Sequence, residues 1–333
     1  MTEFFFDYGL FLAKTLTIVI AIVVIIVLAV AMASRKQGEG KDTLEIKKLN
    51  KKYEDMAMAL NASMLEKDEL KKLQKQEKEK EKGKKKGKQE AEKRKRIYVL
   101  DFHGDIRASA VASLREEITA VLTVAREQDE VFVRLESSGG VVHGYGLAAS
   151  QLMRIRDKNI PLTVAVDKVA ASGGYMMACV GSRILAAPFA IIGSIGVIAQ
   201  LPNFHKVLKK HDIDFEQFTA GEFKRTVTMF GENTREAKSK FREEIEDIHL
   251  LFKDFIVQHR PSVDIVKVST GESWPGTRAL QNNLVDELKT SDDYLLENSQ
   301  HADIFEVSYT TKKSLLEKIG FQFQRLMDKV QYG

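Results

Sequence analysis

The spacing of apolar and polar positions divides the chain into four parts. Residues 15–33 form an uncharged apolar run, which as a helix of about 1.5 Å rise per residue would span roughly 28 Å, the thickness of a bilayer core. Apolar side chains almost vanish after Leu73, and from Ile97 short apolar runs alternate with amphipathic stretches. The pattern predicts an N-terminal segment (1–34) with a transmembrane helix at about 15–33, a charged tether (35–96), a globular domain (97–300) and a C-terminal tail (301–333).

A cleaved signal peptide is the alternative interpretation of the apolar run. Residues 31–33, Ala-Met-Ala, resemble a cleavage site. The run is nevertheless too long for the apolar region of a signal peptide, and Glu3 and Asp7 stand where a basic cluster is typical. We therefore predict a retained anchor in the lipid bilayer.

Charge predicts the orientation of this anchor. Only Lys14 precedes the run, whereas Arg35, Lys36 and five further lysines up to Lys52 follow it closely. The positive-inside rule then places the C-terminal bulk of the chain in the cytoplasm. The formal net charge of only +4 hides this local asymmetry.

The charged segment 35–96 has two interpretations. A surface for nucleic acid or anionic lipid is one, because lysines crowd its second half. No aromatic residue is interleaved there for base stacking, and too few apolar side chains are present to offset the entropy of ordering. We favour a partly helical or disordered tether without a nucleic-acid partner, in which Leu44–Leu70 has the apolar spacing of a short amphipathic helix.

The globular part reads as an α/β domain with a largely parallel sheet, because strand and helix patterns alternate along it. The single cysteine, Cys179, excludes an internal disulfide and a cysteine-based zinc site. We find no other cluster of metal-ligating residues and expect neither a metal nor a cofactor. Strands are predicted at 97–102, 130–136 and 161–167, and an apolar stretch at 184–201 reads as buried strands and turns. Helices are predicted from a cap at Ser109 to about Arg126, from about 144 to 157, after Ser172, and from about 233 to 259.

Three glycine-marked turns follow predicted strands, where an α/β fold usually carries its site. They are residues 137–140 (Ser-Ser-Gly-Gly), 171–174 (Ala-Ser-Gly-Gly) and 193–196 (Gly-Ser-Ile-Gly). Ser172 lies at a strand-to-helix turn between small residues, which suits an exposed nucleophile near free N–H groups. A plain N-cap serine is the alternative that the local sequence leaves open.

A nucleophilic serine needs a base. Of the seven histidines His143 is the best placed, since it follows the first glycine turn, but no motif pairs it with a serine and an acid. A lysine serves only where burial keeps its amine neutral. Lys224 follows a strand-like stretch at 215–219 and has Phe223, Val227 and Phe230 nearby, although an exposed lysine is the ordinary expectation.

Three blocks of sequence, taken together, resemble the signal peptide peptidase A family, and most closely its SohB-type inner-membrane serine peptidases. They are VDKVAASGGYMMA (166–178), APFAIIGSIGVIAQ (187–200) and TAGEFKRTVTMFGENT (219–234), and the similarity runs from about Tyr98 to Leu296. The resemblance implies a Clp-protease/crotonase-like spiral of ββα units with an N-terminal transmembrane helix. It also implies a bacterial inner-membrane location, with a periplasmic peptidase domain as the alternative to a cytoplasmic one.

The resemblance further implies the roles of five residues in a Ser–Lys dyad mechanism. Ser172 would be the nucleophile and Lys224 the base, Ser194 would orient the lysine amine, and the N–H groups of Gly139 and Gly173 would bind the oxyanion. The substrates would be unstructured or membrane-derived peptides. A homo-oligomer is implied as well, with sites at subunit interfaces.

Ser138 departs from the family pattern, which has proline at this position. Proline would stiffen the turn by fixing φ, so we expect Ser138 to loosen it slightly. Two other functions compete with the peptidase: a crotonase-like acyl-CoA enzyme, and a non-catalytic membrane scaffold with the same fold. The apolar stripe at 312–330 suits an oligomer contact, packing on its own domain, or a membrane surface.

Overall fold

The computed structural model describes residues 2–36, 42–72, 75 and 94–310. The chain divides into two compact units, Met1–Glu45 with Tyr309–Gly333, and Ile46–Ser308. The apolar stripe at 312–330 lies outside the described residues.

The first unit contains helix α1, Thr2–Lys36. The apolar run at 15–33 lies within this helix, but the side chains of residues 23, 24 and 26–33 lie outside the described set. No helix of the described residues is both long enough and apolar enough to cross a membrane.

The sheet is mixed and mostly parallel. The strands are β1 Thr43–Lys48, β2 Arg96–Gly104, β3 Glu130–Ser137, β4 Leu162–Val166, β5 Val169–Ala171, β6 Arg183–Ala186, β7 Ile191–Gly193, β8 Ser273–Pro275, β9 Glu287–Leu288 and β10 Asp303–Thr310. Their order is β1-β10-β2-β3-β4-β6-β9, with β5 pairing β3 and β7, and β7 also pairing β8. The β7–β8 pair is antiparallel, whereas β10–β2, β2–β3, β3–β4, β3–β5, β4–β6, β5–β7 and β6–β9 are parallel, so the chain crosses over between these parallel neighbours.

Helices cover both faces of this sheet. Neighbouring residues of β2 separate into two buried clusters, Tyr98 and Leu100 in one and Ile97 and Val99 in the other, as the alternation of side chains along a strand requires. The helices after α1 are α2 Leu49–Met64, α3 Val111–Leu122, α4 Val142–Arg156, α5 Gly173–Ala178, α6 His205–Lys210, α7 Arg235–His259, α8 Ile265–Val268, α9 Gly276–Gln281 and α10 Ser291–Asn298, and residues 67–72 are also helical.

The strands predicted at 97–102, 130–136 and 161–167 and the long helix predicted at 233–259 are confirmed within a few residues. The N-cap predicted at Ser109 is wrong, because its hydroxyl donates to the Asp105 carboxylate at 2.5 Å and helix α3 begins after Ala110. The strand predicted at 215–219 is absent, since these residues pair with no strand in the described sheet. The apolar stretch at 184–201 is buried only in its first part, and Ile198 is 78% exposed.

The predicted tether begins later than the sequence indicates. Residues 43–48 form a strand, and Asn50 is buried, with its amide donating to the carbonyls of Ser299 and Ala302 and accepting from the Ile304 N–H. The Arg94 guanidinium also donates to the Ser299 carbonyl, at 3.3 Å. Asn50 and Arg94, which lie before and after the lysine-rich stretch, therefore share the Ser299 carbonyl as an acceptor.

The Tyr175 hydroxyl of helix α5 donates to the Leu284 carbonyl at 2.9 Å, which ties the helix after Ser172 to the segment that follows α9. In the same segment both oxygens of Asp286 accept from the Arg260 guanidinium, which is 7% exposed, at 2.7 and 2.9 Å. A buried charge is tolerated when it is paired in this way.

Candidate active site

Ser172 adopts a backbone conformation that residues with a side chain rarely take. It connects β5 to α5 with φ of 52° and ψ of −119°. Its N–H donates to the Gly193 carbonyl at 2.7 Å, and its carbonyl accepts from the Met176 N–H at 3.0 Å. Such a conformation costs about 1–3 kcal/mol and concentrates at functional sites. A strained strand-to-helix turn also projects its side chain outward, which favours a nucleophile over a plain helix cap.

The two glycines after Ser172 are required by close packing. A Cβ on Gly173 would lie 2.4 Å from the Tyr145 ring, and a Cβ on Gly174 would lie 2.4 Å from the Ser137 carbonyl oxygen. Real Cβ atoms do not approach that closely, so only glycine lets α5 start directly against β3 and α4.

Gly139 brings the first glycine turn against the nucleophile. Its φ is +88°, and a Cβ there would lie 2.8 Å from the Ala171 oxygen, the Gly173 nitrogen and the Ser172 Cβ. The predicted oxyanion glycines, Gly139 and Gly173, are therefore direct neighbours. The Gly139 N–H donates to Ser137 Oγ at 3.0 Å, an interaction that the sequence did not indicate.

Ser194 lies at the end of the neighbouring strand. Ala171 of β5 pairs with Gly193 of β7 in parallel register, so Ser172 and Ser194 follow paired residues at the same edge of the sheet. Ser194 also has a positive φ, 50°, and its N–H donates to the Glu272 carbonyl at 2.7 Å. Neither the Ser172 nor the Ser194 hydroxyl has a hydrogen-bond partner among the described residues.

No hydrogen bond joins Lys224 to Ser172 or Ser194 in the described part of the chain. Its side chain is exposed, and within the described part of the chain it forms neither a hydrogen bond nor an ion pair. Its own N–H donates to the Gly221 carbonyl at 3.2 Å, which makes a local turn. The apolar surround predicted from Phe223 and Phe230 is not closed, because these rings are 55% and 42% exposed.

His143, the alternative base, is also exposed. No histidine of the described residues forms a hydrogen bond with Ser172. Among the same residues no group of three or more histidine, cysteine, aspartate or glutamate side chains is placed to hold a metal ion.

Sequence reasoning missed Ser137 and Tyr145, which both contact the two glycine turns. Ser137 Oγ lies 2.5 Å from the Tyr145 hydroxyl, and that hydroxyl donates to the Asp105 carbonyl at 2.7 Å. The position of Ser137 two residues before Gly139 was an available signal, because serine hydroxyls often bond the backbone two residues on. Tyr145 gave no signal, because only the packing of α4 places it here.

Comparison with known proteins finds one peptidase family. Residues 3–152 match the family model described as "Peptidase family S49 N-terminal", and residues 154–304 match the model described as "Peptidase family S49". The chain is 60% identical over 226 residues to "Probable protease SohB" of Haemophilus influenzae. The aligned region covers 68% of this chain and 64% of that protein. The chain is also 48% identical over 315 residues to the protein of the same name from Buchnera aphidicola subsp. Schizaphis graminum, and that alignment covers 93% of this chain and 92% of that protein.

The structure also resembles two solved structures of the membrane-bound stomatin-specific protease 1510-N. Both cover 61% of this chain, with TM-scores of 0.42 and 0.40 and sequence identities of 15% and 16%.

Proposed function

Because the chain belongs to peptidase family S49, we propose that it is a serine endopeptidase in which Ser172 is the nucleophile and Lys224 the general base. The observation that carries this proposal is the strained turn at Ser172, against which the Gly139 turn is packed. A half-buried serine hydroxyl with two glycine N–H groups beside it is the arrangement that acyl transfer requires.

The proposed reaction proceeds through an acyl-enzyme. The neutral Lys224 amine accepts the proton of Ser172 Oγ as that oxygen attacks the peptide carbonyl carbon. The resulting oxyanion accepts a hydrogen bond from the Gly173 N–H and a second, three-centre one from the Gly139 N–H, which also donates to Ser137 Oγ at 3.0 Å. A single oxyanion donor is worth about 3–4 kcal/mol in comparable enzymes. The tetrahedral intermediate expels the amine, which takes the proton from Lys224. Water then attacks the acyl carbon and gives a proton to Lys224. The bond between that carbon and Ser172 Oγ breaks, the carboxylic acid product leaves, and Lys224 returns the proton to Ser172 Oγ.

Lys224 must be buried beside Ser172 in the active enzyme, with Ser194 orienting its amine. The single chain leaves Lys224 exposed on a segment that carries many exposed apolar side chains, which is a sign of a surface that another molecule covers. We therefore propose a homo-oligomer in which Lys224 of one copy completes the site of Ser172 of another. The exposed apolar side chains of this segment are Ile198, Leu201, Phe204, Val207, Ile213, Phe215, Phe218, Phe223 and Phe230.

The location is proposed from the apolar run, its flanking charges and the family resemblance, and the substrate class from the family resemblance alone. We propose a single-pass protein of the bacterial inner membrane, anchored through residues 15–33, with the peptidase domain in the cytoplasm and a periplasmic domain as the alternative. The substrates proposed are unstructured or membrane-derived peptides. The finer fold assignment, a Clp-protease/crotonase-like spiral, stays a prediction.

Labelling with a serine-directed fluorophosphonate tests the proposal on the full-length protein in detergent. We expect one covalent adduct, located at Ser172 by peptide mass spectrometry, and loss of labelling in Ser172→Ala. A crotonase-like enzyme or a non-catalytic scaffold would leave Ser172 unlabelled. Labelling of another serine with Ser172 untouched would contradict the assignment of the nucleophile.

Replacing Gly139 with alanine is expected to lower kcat about 100-fold or more. The new Cβ would push the turn away from Ser172 and Gly173, and displacements near 1 Å carry penalties of that size. The measurement is hydrolysis of a fluorogenic peptide, with the melting temperature recorded in parallel. Gly146→Ala on α4 is the matched control, since a Cβ there meets nothing within 4 Å. Wild-type activity in Gly139→Ala would show that this turn does not shape the site.

A further inference from the structure

A chain of hydrogen bonds runs beneath the two glycine turns. The Gly139 N–H donates to Ser137 Oγ at 3.0 Å, Ser137 Oγ lies 2.5 Å from the Tyr145 hydroxyl, and that hydroxyl donates to the Asp105 carbonyl at 2.7 Å. Each hydroxyl carries a single proton. Since Tyr145 gives its proton to Asp105, Ser137 must donate to Tyr145, and the Ser137 oxygen is left to accept from Gly139.

Burial confines the two hydroxyl groups in the middle of this hydrogen-bond network, those of Ser137 and Tyr145. Tyr145 is fully buried and Ser137 is 2% exposed. A Cβ on Gly104 would lie 2.4 Å from both Ser137 Oγ and the Tyr145 hydroxyl, so the backbone of β2 closes the space beside them. Burial raises the pKa of Tyr145 more than its hydrogen bond with Ser137 lowers it, which keeps the phenol protonated.

The same two residues also contact the nucleophile turn, residues 171–174. The Tyr145 ring lies so close to Gly173 that a Cβ there would be 2.4 Å from it, and the Ser137 backbone carbonyl approaches Gly174 equally closely. A shift of either residue would therefore move this turn relative to the Gly139 turn.

We propose that Ser137 and Tyr145 are positioning residues, which fix the Gly139 turn against Ser172 and Gly173 and so set where the oxyanion donors lie. This inference rests on the proposed function of Ser172. The inference also explains how the turn can have Ser138 where the family pattern has proline. Proline would stiffen the turn by fixing φ, and here the hydrogen bond from the Gly139 N–H to Ser137 Oγ stiffens it instead.

Tyr145→Phe in the full-length protein is the primary test. It removes one oxygen while keeping the ring against Gly173, and it leaves the Ser137 proton without its acceptor. We expect kcat for a fluorogenic peptide to fall about 10- to 100-fold with KM changed less than about twofold, because only the donor geometry is disturbed. Ser137→Ala is expected to reduce kcat to a similar extent.

Tyr294→Phe is the matched control. Tyr294 is also buried, at 7% exposure, and its hydroxyl donates to Glu130 Oε1 at 2.7 Å, in the buried cluster that does not contain Tyr145. Both variants are expected to lower the melting temperature, but Tyr294→Phe is expected to keep the wild-type kcat. Equal losses of kcat in the two variants would reduce Tyr145 to a general stabilising role and overturn the inference.

Amide hydrogen exchange gives a second readout that does not need activity. The peptide covering residues 137–141 is expected to exchange faster in Tyr145→Phe than in the wild type, and to be unchanged in Tyr294→Phe. Unchanged exchange in Tyr145→Phe overturns the inference, whether or not the protein hydrolyses peptides. Wild-type kcat in Tyr145→Phe overturns it while leaving the proposed function intact. A third outcome is faster exchange in Tyr145→Phe, with a wild-type protein that neither hydrolyses peptides nor reacts with the fluorophosphonate. That outcome supports the positioning role of Tyr145 and contradicts only the proposed function.

Discussion

Replacing Ser172 with alanine is expected to lower kcat/KM for a peptide substrate by at least about 10⁴-fold, because the acyl-enzyme cannot form without the hydroxyl. The structural cost of the change is expected to be small. The backbone bonds of Ser172 to Gly193 and Met176 do not use its side chain, which has no hydrogen-bond partner among the described residues. The measurement is hydrolysis of a fluorogenic peptide by the full-length protein, alongside its melting temperature.

Ser150→Ala provides the matched control for this loss. Ser150 is exposed on α4, and its hydroxyl bonds only the Gly146 carbonyl of its own helix at 2.8 Å. We expect this variant to keep wild-type kcat/KM. Residual activity of Ser172→Ala above about one per cent of the wild type would contradict covalent catalysis at this serine.

Lys224→Ala is expected to cause a loss of similar size, since an unassisted serine hydroxyl is a weak nucleophile at neutral pH. The mutated side chain has no partner within the described part of the chain, so folding of the single chain is expected to be unaffected. Lys210→Ala, at an exposed lysine on α6, controls for the lost charge and is expected to be neutral.

Mixing the two inactive variants decides where the dyad forms. If Ser172 and Lys224 meet across a subunit boundary, a 1:1 mixture that exchanges subunits regains about a quarter of the wild-type activity, because about a quarter of the sites then combine two intact residues. If they meet within one chain, the mixture stays inactive. A fully active Lys224→Ala together with an inactive His143→Ala would instead transfer the role of base to the histidine.

Much of the fold could be predicted from the sequence because it is encoded locally. The strands at 97–102, 130–136 and 161–167 are near-continuous apolar runs, which is how buried parallel strands read. Helix α7 was predicted from its periodicity, and Thr234 caps it by accepting from the Ala237 N–H. The error at Ser109 came from a competing carboxylate four residues earlier, Asp105, which takes the serine hydroxyl.

The site was predictable only in outline. Glycine pairs and a serine between small residues marked Ser172 and Gly139 as turn positions, but neither pattern shows that the two turns touch. Contact between them depends on the parallel order of β3, β5 and β7 and on the absence of a Cβ at Gly139. The strand predicted at 215–219 failed because apolar residues there have no neighbouring strand to pair with in the described structure.

The sequence by itself determined the periodic elements and the glycine turns, since each depends on residue type and short spacing. The tertiary structure decided the left-handed φ of Ser172, the approach of Gly139 to it, the hydrogen bonds linking Ser137 with Tyr145, and the exposure of Lys224 in the single chain. These features join residues distant in sequence, and their energies depend on burial and on distances of a few ångströms, which only the packing of the elements fixes.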